Sequence, residues 1–158
     1  MRTILIDPFA RRVSEVDIPS KMTEEGDELD LDAIKVVIGC EFLDHVTLRI
    51  RDERLLLLVN DTGLFVKDQA FFLIQGVALA GKAIFIGSDE MGNTVAPSAS
   101  VNDVAQGVQW VTRSFAEMSI RMGMQAAMAH AVAHDEHVQP IGEYGFFSTP
   151  SRAGADEA

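Results

Sequence analysis

Arg54-Leu55-Leu56-Leu57-Leu58-Val59-Asn60-Asp61-Thr62-Gly63 is the stretch from which the rest of the chain can be read. An unbroken apolar run from Leu55 to Val59 stops abruptly at four residues of turn chemistry. A run this short and so bounded reads as a strand buried on both faces, because a one-faced strand would alternate. Asn, Asp and Gly end it, since they tolerate left-handed backbone or hydrogen-bond their own main chain. Neighbouring strands should therefore pair with it and a helix should cover it.

Upstream, Val46, Leu48 and Ile50 alternate with Thr47, Arg49 and Arg51, which predicts a strand over 45–51 with one wet face. A turn at Asp52-Glu53 then makes it an antiparallel hairpin with the strand 54–60. Thr3-Ile4-Leu5-Ile6, closed by Asp7-Pro8, predicts a strand over 2–7. The alternation from Arg12 to Ile18 predicts another over 12–18, with Val16 and Ile18 facing in. Asp30 is placed to cap a helix over 31–38 whose face is Leu31, Ile34, Val37 and Ile38, with Gly39 at its C-terminal end. Downstream, Leu64-Phe65-Val66 and Phe71-Phe72-Leu73-Ile74 are apolar but irregular, and Gly81 and Gly87 bracket a strand over 82–87. The fold class expected is α+β: a mainly antiparallel sheet, one short covering helix, and a long C-terminal helix or helical hairpin. Residues 1–95 form the sheet domain, 96–138 a helical segment, and 139–158 a flexible tail anchored by Tyr144, Phe146 and Phe147.

The helical expectation rests on spacing. Val104, Val108, Val111, Phe115, Met118 and Met122 recur at four, three, four, three and four residues, a heptad-like seam. Ser100 and Asp103 resemble a capping box ahead of it. Carried to His134, the helix would run about 34 residues, on the order of 50 Å. That is longer than the sheet beside it, so either it breaks, near Arg113-Ser114 or Gly123, or part of it packs on another copy of the chain. The seam is accordingly the expected homo-oligomer interface, with a further protein partner as a second use.

Composition narrows the function classes. The chain has 158 residues and a net charge of −11, which argues against holding nucleic acid through a basic surface. The acidity is concentrated between Glu15 and Asp32, where eight acids face the single base Lys21, and reads as a solvated loop. One cysteine, Cys40, allows no intrachain disulfide and suits a reducing cytoplasm. No apolar run reaches the roughly 18 residues of a membrane span, and the start of the chain lacks a signal peptide's apolar region.

Chemistry-bearing patterns are sparse. Gly76 to Ala83 nearly spells a phosphate-binding loop, but Ala83 stands where a hydroxyl should hold magnesium, and Ile84-Phe85-Ile86 reads as strand rather than helix. His130 and His134, four apart on one helical face, have metal-ligand spacing, although the zincin pattern is absent. Asn60, Asp61, Asp89 and Asn93 come from two turns that could share one sheet end and line a ligand pocket. The pair Asp44-His45 lacks a neighbouring nucleophile, so no enzymatic role is assigned. No cofactor is expected.

Four stretches carry a resemblance: Ile4-Leu5-Ile6-Asp7-Pro8, Val36-Val37-Ile38-Gly39-Cys40-Glu41, Val59-Asn60-Asp61-Thr62-Gly63 and Gly81-Lys82-Ala83-Ile84-Phe85-Ile86-Gly87. Residues 1–95 resemble a domain-of-unknown-function family of small proteins found in bacteriophages and in mobile or actinobacterial genomes. Asp68-Gln69-Ala70 keeps that family's alanine but lacks its asparagine. The resemblance implies a phage-like accessory context and carries no activity, cofactor or catalytic residue. The expectation is thus a non-enzymatic accessory protein, self-associating through its C-terminal helix. The alternative is a small-ligand or divalent-metal-binding protein using the His130/His134 face or the Asn60/Asp89 loops.

Overall fold

The computed structural model describes residues 1–24, 26–133, 138–141 and 145–148, with side chains described as far as Ala126 except over 25–27. The fold is α+β, and every described strand pairing is antiparallel. In chain order the elements are β1 (Arg2–Asp7), β2 (Arg12–Asp17), β3 (Ser20–Thr23), β4 (Gly26–Leu29), α1 (Leu31–Ile38), β5 (Leu43–Ile50) and β6 (Glu53–Asn60). There follow β7 (Phe71–Ile74), β8 (Val77–Ala80), β9 (Ala83–Ser88), β10 (Thr94–Val95), α2 (Val101–Gly107), β11 (Val108–Val111), α3 (Arg113–Ala133), β12 (Val138–Ile141) and β13 (Gly145–Ser148). Two compact units divide them, residues 1–113 and 114–158.

In the first unit the main sheet runs β2-β1-β9-β6-β5, with β10 added to β9. The apolar run lies in β6, paired on both sides, and its side chains enter two cores. Leu55, Leu57 and Val59 join Ile4, Ile6, Ala83 and Phe85 on one face, under Phe72 and Ile74 of β7 and Val104 of α2. Leu58 joins Ile84, Ile86 and Ile18 on the other, under Ile34 and Ile38 of α1. Period-two alternation makes this division obligatory, and each fully buried leucine contributes about 1.5–3 kcal/mol.

Helix α1 starts where the Asp30 carboxylate accepts from the amides of Asp32 and Ala33. It stops at Gly39, whose φ of 80° is left-handed and whose amide donates to Lys35. Leu31, expected on its buried face, is 53% exposed; Ile34 and Ile38 do the packing.

Several expectations are corrected. The β5–β6 turn is Arg51-Asp52, one residue earlier than expected, with Ile50 opposite Glu53. The acidic stretch is not an open loop throughout, since β3 and β4 form a hairpin within it and Lys21 pairs with Asp30 at 3.0 Å. The irregular apolar residues Phe71–Ile74 are strand β7, paired with β8 in a hairpin whose turn Gln75-Gly76 takes positive φ at both residues (48° and 78°). The helical segment expected over 96–138 is interrupted. After α2, β11 pairs residue by residue with β7, Val108 opposite Ile74 and Val111 opposite Phe71. β-Branched and aromatic residues in Val108-Gln109-Trp110-Val111 suit a pleated surface, and Gly107 ends the helix before them. The second unit contains α3 and the antiparallel pair β12–β13, so residues 138–141 pair with 145–148 where a tail was expected from 139 onward.

Candidate functional site

The Arg51-Asp52 turn projects from the main sheet toward the start of α2. Arg51 takes φ of 54°, and its guanidinium meets the Asp103 carboxylate at 2.6 Å. Asp103 also accepts from the amide and hydroxyl of Ser100, completing a capping box at the start of α2. Those Ser100 bonds, with Arg51 beside them, hold its carboxyl below the usual carboxylate range. One residue past the turn, Glu53 accepts from the amide and hydroxyl of Ser98 and the amide of Ala99. Burial pushes the Glu53 carboxyl upward, but the Ser98 and Ala99 bonds, together with the Arg2 charge, outweigh it and the net direction is down. Arg2 closes the latch from the other side by donating to the carbonyls of Pro97 and Ala99.

Two open clefts, about 220 and 490 Å³, flank Arg51 and share Ile50 and Asp103 in their walls. Glu53 and Asp103 in these walls are turned onto the protein's own loop and helix start. The arrangement fixes 97–103 against the sheet, and each carboxylate is saturated by the amides and hydroxyls of that segment.

The loop residues proposed to share a pocket are separated by the sheet register. Leu58 faces Ile84 and Leu55 faces Gly87, so Asn60 and Asp61 leave β6 at the opposite end from Asp89 and Asn93. Antiparallel pairing of β6 with β9 dictates this, and the shared pocket is withdrawn. Each loop is closed on itself. Asn60 accepts from the amide and hydroxyl of Thr62. Asp89 accepts from the amides of Met91 and Asn93 and from the Asn93 side chain, the last being the main cause of its lowered pKa.

His130 lies on α3, but its side chain falls outside the described residues, and His134 falls outside them entirely. Among the described residues no three His, Cys, Asp or Glu side chains gather as a metal site. The near phosphate-loop is a strand, a turn at Gly81 and the start of β9, with Lys82 directed to Asp7 at 3.7 Å. His45 and Asp44 are both more than 60% exposed, with 4.0 Å between Nδ1 and Oδ1. Burial pushes the Cys40 thiol up, against the pull of Lys35, so the thiolate is disfavoured.

The expected interface seam divides at β11. Val104 is fully buried in the core, and Val108 and Val111 belong to β11, so these three do not share a helical stripe with the rest. Phe115, Met118 and Met122 do share one, at spacings of three and four on α3, and are 41%, 47% and 62% exposed. Gly123 does not break the helix, which continues to Ala133. Between Ser114 and Ala133 the only charged residues are Glu117 and Arg121. No helix among the described residues is long and apolar enough to cross a membrane.

Comparison with known proteins adds no relative: no family model, no curated protein and no solved structure matches the chain.

Proposed function

We propose that the chain is a non-enzymatic protein-interaction module that self-associates through α3. The observation that carries this reading is the Phe115/Met118/Met122 stripe, three large apolar side chains exposed on one face of a helix about 30 Å long. A contiguous apolar stripe of this kind is a common signature of helix pairing, and methionine adapts to imperfectly matched surfaces. A second copy is the favoured occupant because an isologous contact lets one stripe serve both partners. The charged residues of α3 are Arg113, Glu117 and Arg121, which leave it without the repulsion expected of a chain at −11.

The phage-like or mobile-element accessory context belongs to this reading and rests on the resemblance of residues 1–95 alone. A cytoplasmic location is supported by the single thiol. Light scattering on the intact chain tests the self-association. A mass of two or more chains at micromolar concentration is expected; one chain at every concentration up to high micromolar would overturn it.

A further inference from the structure

We infer that the outer edge of β5 is a docking site for an acidic, extended polypeptide segment, bound by strand addition. β5 is the last strand of the main sheet, and among the described residues no strand pairs with its outer side. The two-residue loop Arg51-Asp52 sets the parity of the hairpin. Ile50, Leu48, Val46 and Asp44 turn their main-chain groups to β6, whereas His45, Thr47 and Arg49 turn theirs outward. Two of the outward groups are occupied, since the Gln75 side chain donates to the Arg49 carbonyl and the Asp44 carboxylate accepts from the His45 amide. The amide and carbonyl of Thr47 between them have no partner among the described residues, and Thr47 is exposed. An open edge of this kind accepts an extended peptide by main-chain hydrogen bonds, with side chains on alternate positions reading the flanking surface.

That flanking surface has a definite sign. Arg49 lies directly opposite Arg54, both are exposed, and neither forms an ion pair among the described residues. Like charges placed opposite each other across a strand pair destabilise it. A charge on an edge strand is a familiar guard against aggregation, which accounts for Arg49 but not for Arg54, one strand further in. In a chain with 24 acidic and 13 basic residues, an unneutralised arginine pair beside an open edge points to an incoming acid. An extended segment with Asp or Glu at alternate positions supplies the main chain to Thr47 and the carboxylates to Arg49 and Arg54.

Fluorescence anisotropy on the full chain tests this, with two labelled peptides as probes: Thr-Glu-Val-Glu-Val-Glu-Thr and its counterpart with lysine for glutamate. The acidic peptide should bind at least about tenfold more tightly than the basic one. Methylating its alternate backbone nitrogens should abolish binding, and Thr47→Pro in the protein should do the same. Because Thr47→Pro could disturb β5, Arg54→Glu on the exposed face provides an independent check, and should remove or reverse the preference. Equal binding of both peptides overturns the proposal, as does no binding of the acidic one at about 1 mM. Retained binding after backbone methylation, or an unchanged preference in Arg54→Glu, also overturns it. A chain mass that falls in Thr47→Pro would assign the edge to a second copy and overturn it as well.

Discussion

Leu57 and Leu58 are consecutive in β6 and lie in separate cores, Leu57 fully buried against Phe85 and Phe72 and Leu58 buried beneath α1. The sheet is therefore a partition between two apolar layers, and β6 contributes to both. Replacing either leucine by alanine should destabilise the first unit by about 2–5 kcal/mol, measured by urea denaturation. Because the side chains point into different layers, the double variant should lose nearly the sum of the two. A near-zero effect of Leu58→Ala would mean that α1 does not seal that face.

Gly63 approaches the end of β8 so closely that an added Cβ would stand 2.9 Å from the Ala80 carbonyl oxygen, with the Ala80 side chain behind it. Backbone cannot swing aside as a flexible side chain can, so Gly63→Ala should lower stability by about 1–3 kcal/mol. Gly123, in the interior of α3, has nothing within 4 Å of such a Cβ. There the same substitution should stabilise the helix by up to about 1 kcal/mol. Melting temperatures of the two variants should move in opposite directions.

The Glu53 latch gives the fold a dependence on pH. Its carboxyl is held below the ordinary value of 4.5 in the folded chain, so the stabilisation is fully present above that value. It is lost as pH falls through the folded-state pKa, when protonation removes acceptors from the Ser98 and Ala99 amides. Asp103, lowered by Ser100 and Arg51, contributes in the same direction. Glu53→Gln should cost about 1–3 kcal/mol at neutral pH, by the worth of hydrogen bonds to a charged acceptor. The wild-type and variant melting curves should converge in acid.

The main sheet and α1 were legible because their signals are local and mutually consistent. A short apolar run closed by Asp7-Pro8 marked β1, alternation marked β2 and β5, turn residues ended β6, and Asp30 and Gly39 bounded α1. The short hairpins were not legible for different reasons. Acidic composition hid the pairing of β3 with β4, and Gln75-Gly76 lacks the Asn-Gly or Asp-Gly pair that marks a tight hairpin turn. At β11 the failure was one of period: Val104, Val108 and Val111 fit a heptad by coincidence, and pairing with β7 overrode the pattern. Gly107 ahead of Val-Gln-Trp-Val was the available clue. Of the candidate site, the Phe115/Met118/Met122 half was readable because it falls within one helix. The arginine pair was not, since Arg49 and Arg54 meet only through the hairpin register.

Self-association through α3 is tested most directly by sedimentation velocity on the intact chain and on a Met118→Glu, Met122→Glu double variant. Both substitutions are on exposed positions and should leave the circular dichroism of the fold unchanged. The wild-type chain should sediment as an oligomer at micromolar concentration and the variant as a single chain. An oligomer of unchanged size in the variant, or a monomeric wild type, would contradict the assignment of the stripe as the interface.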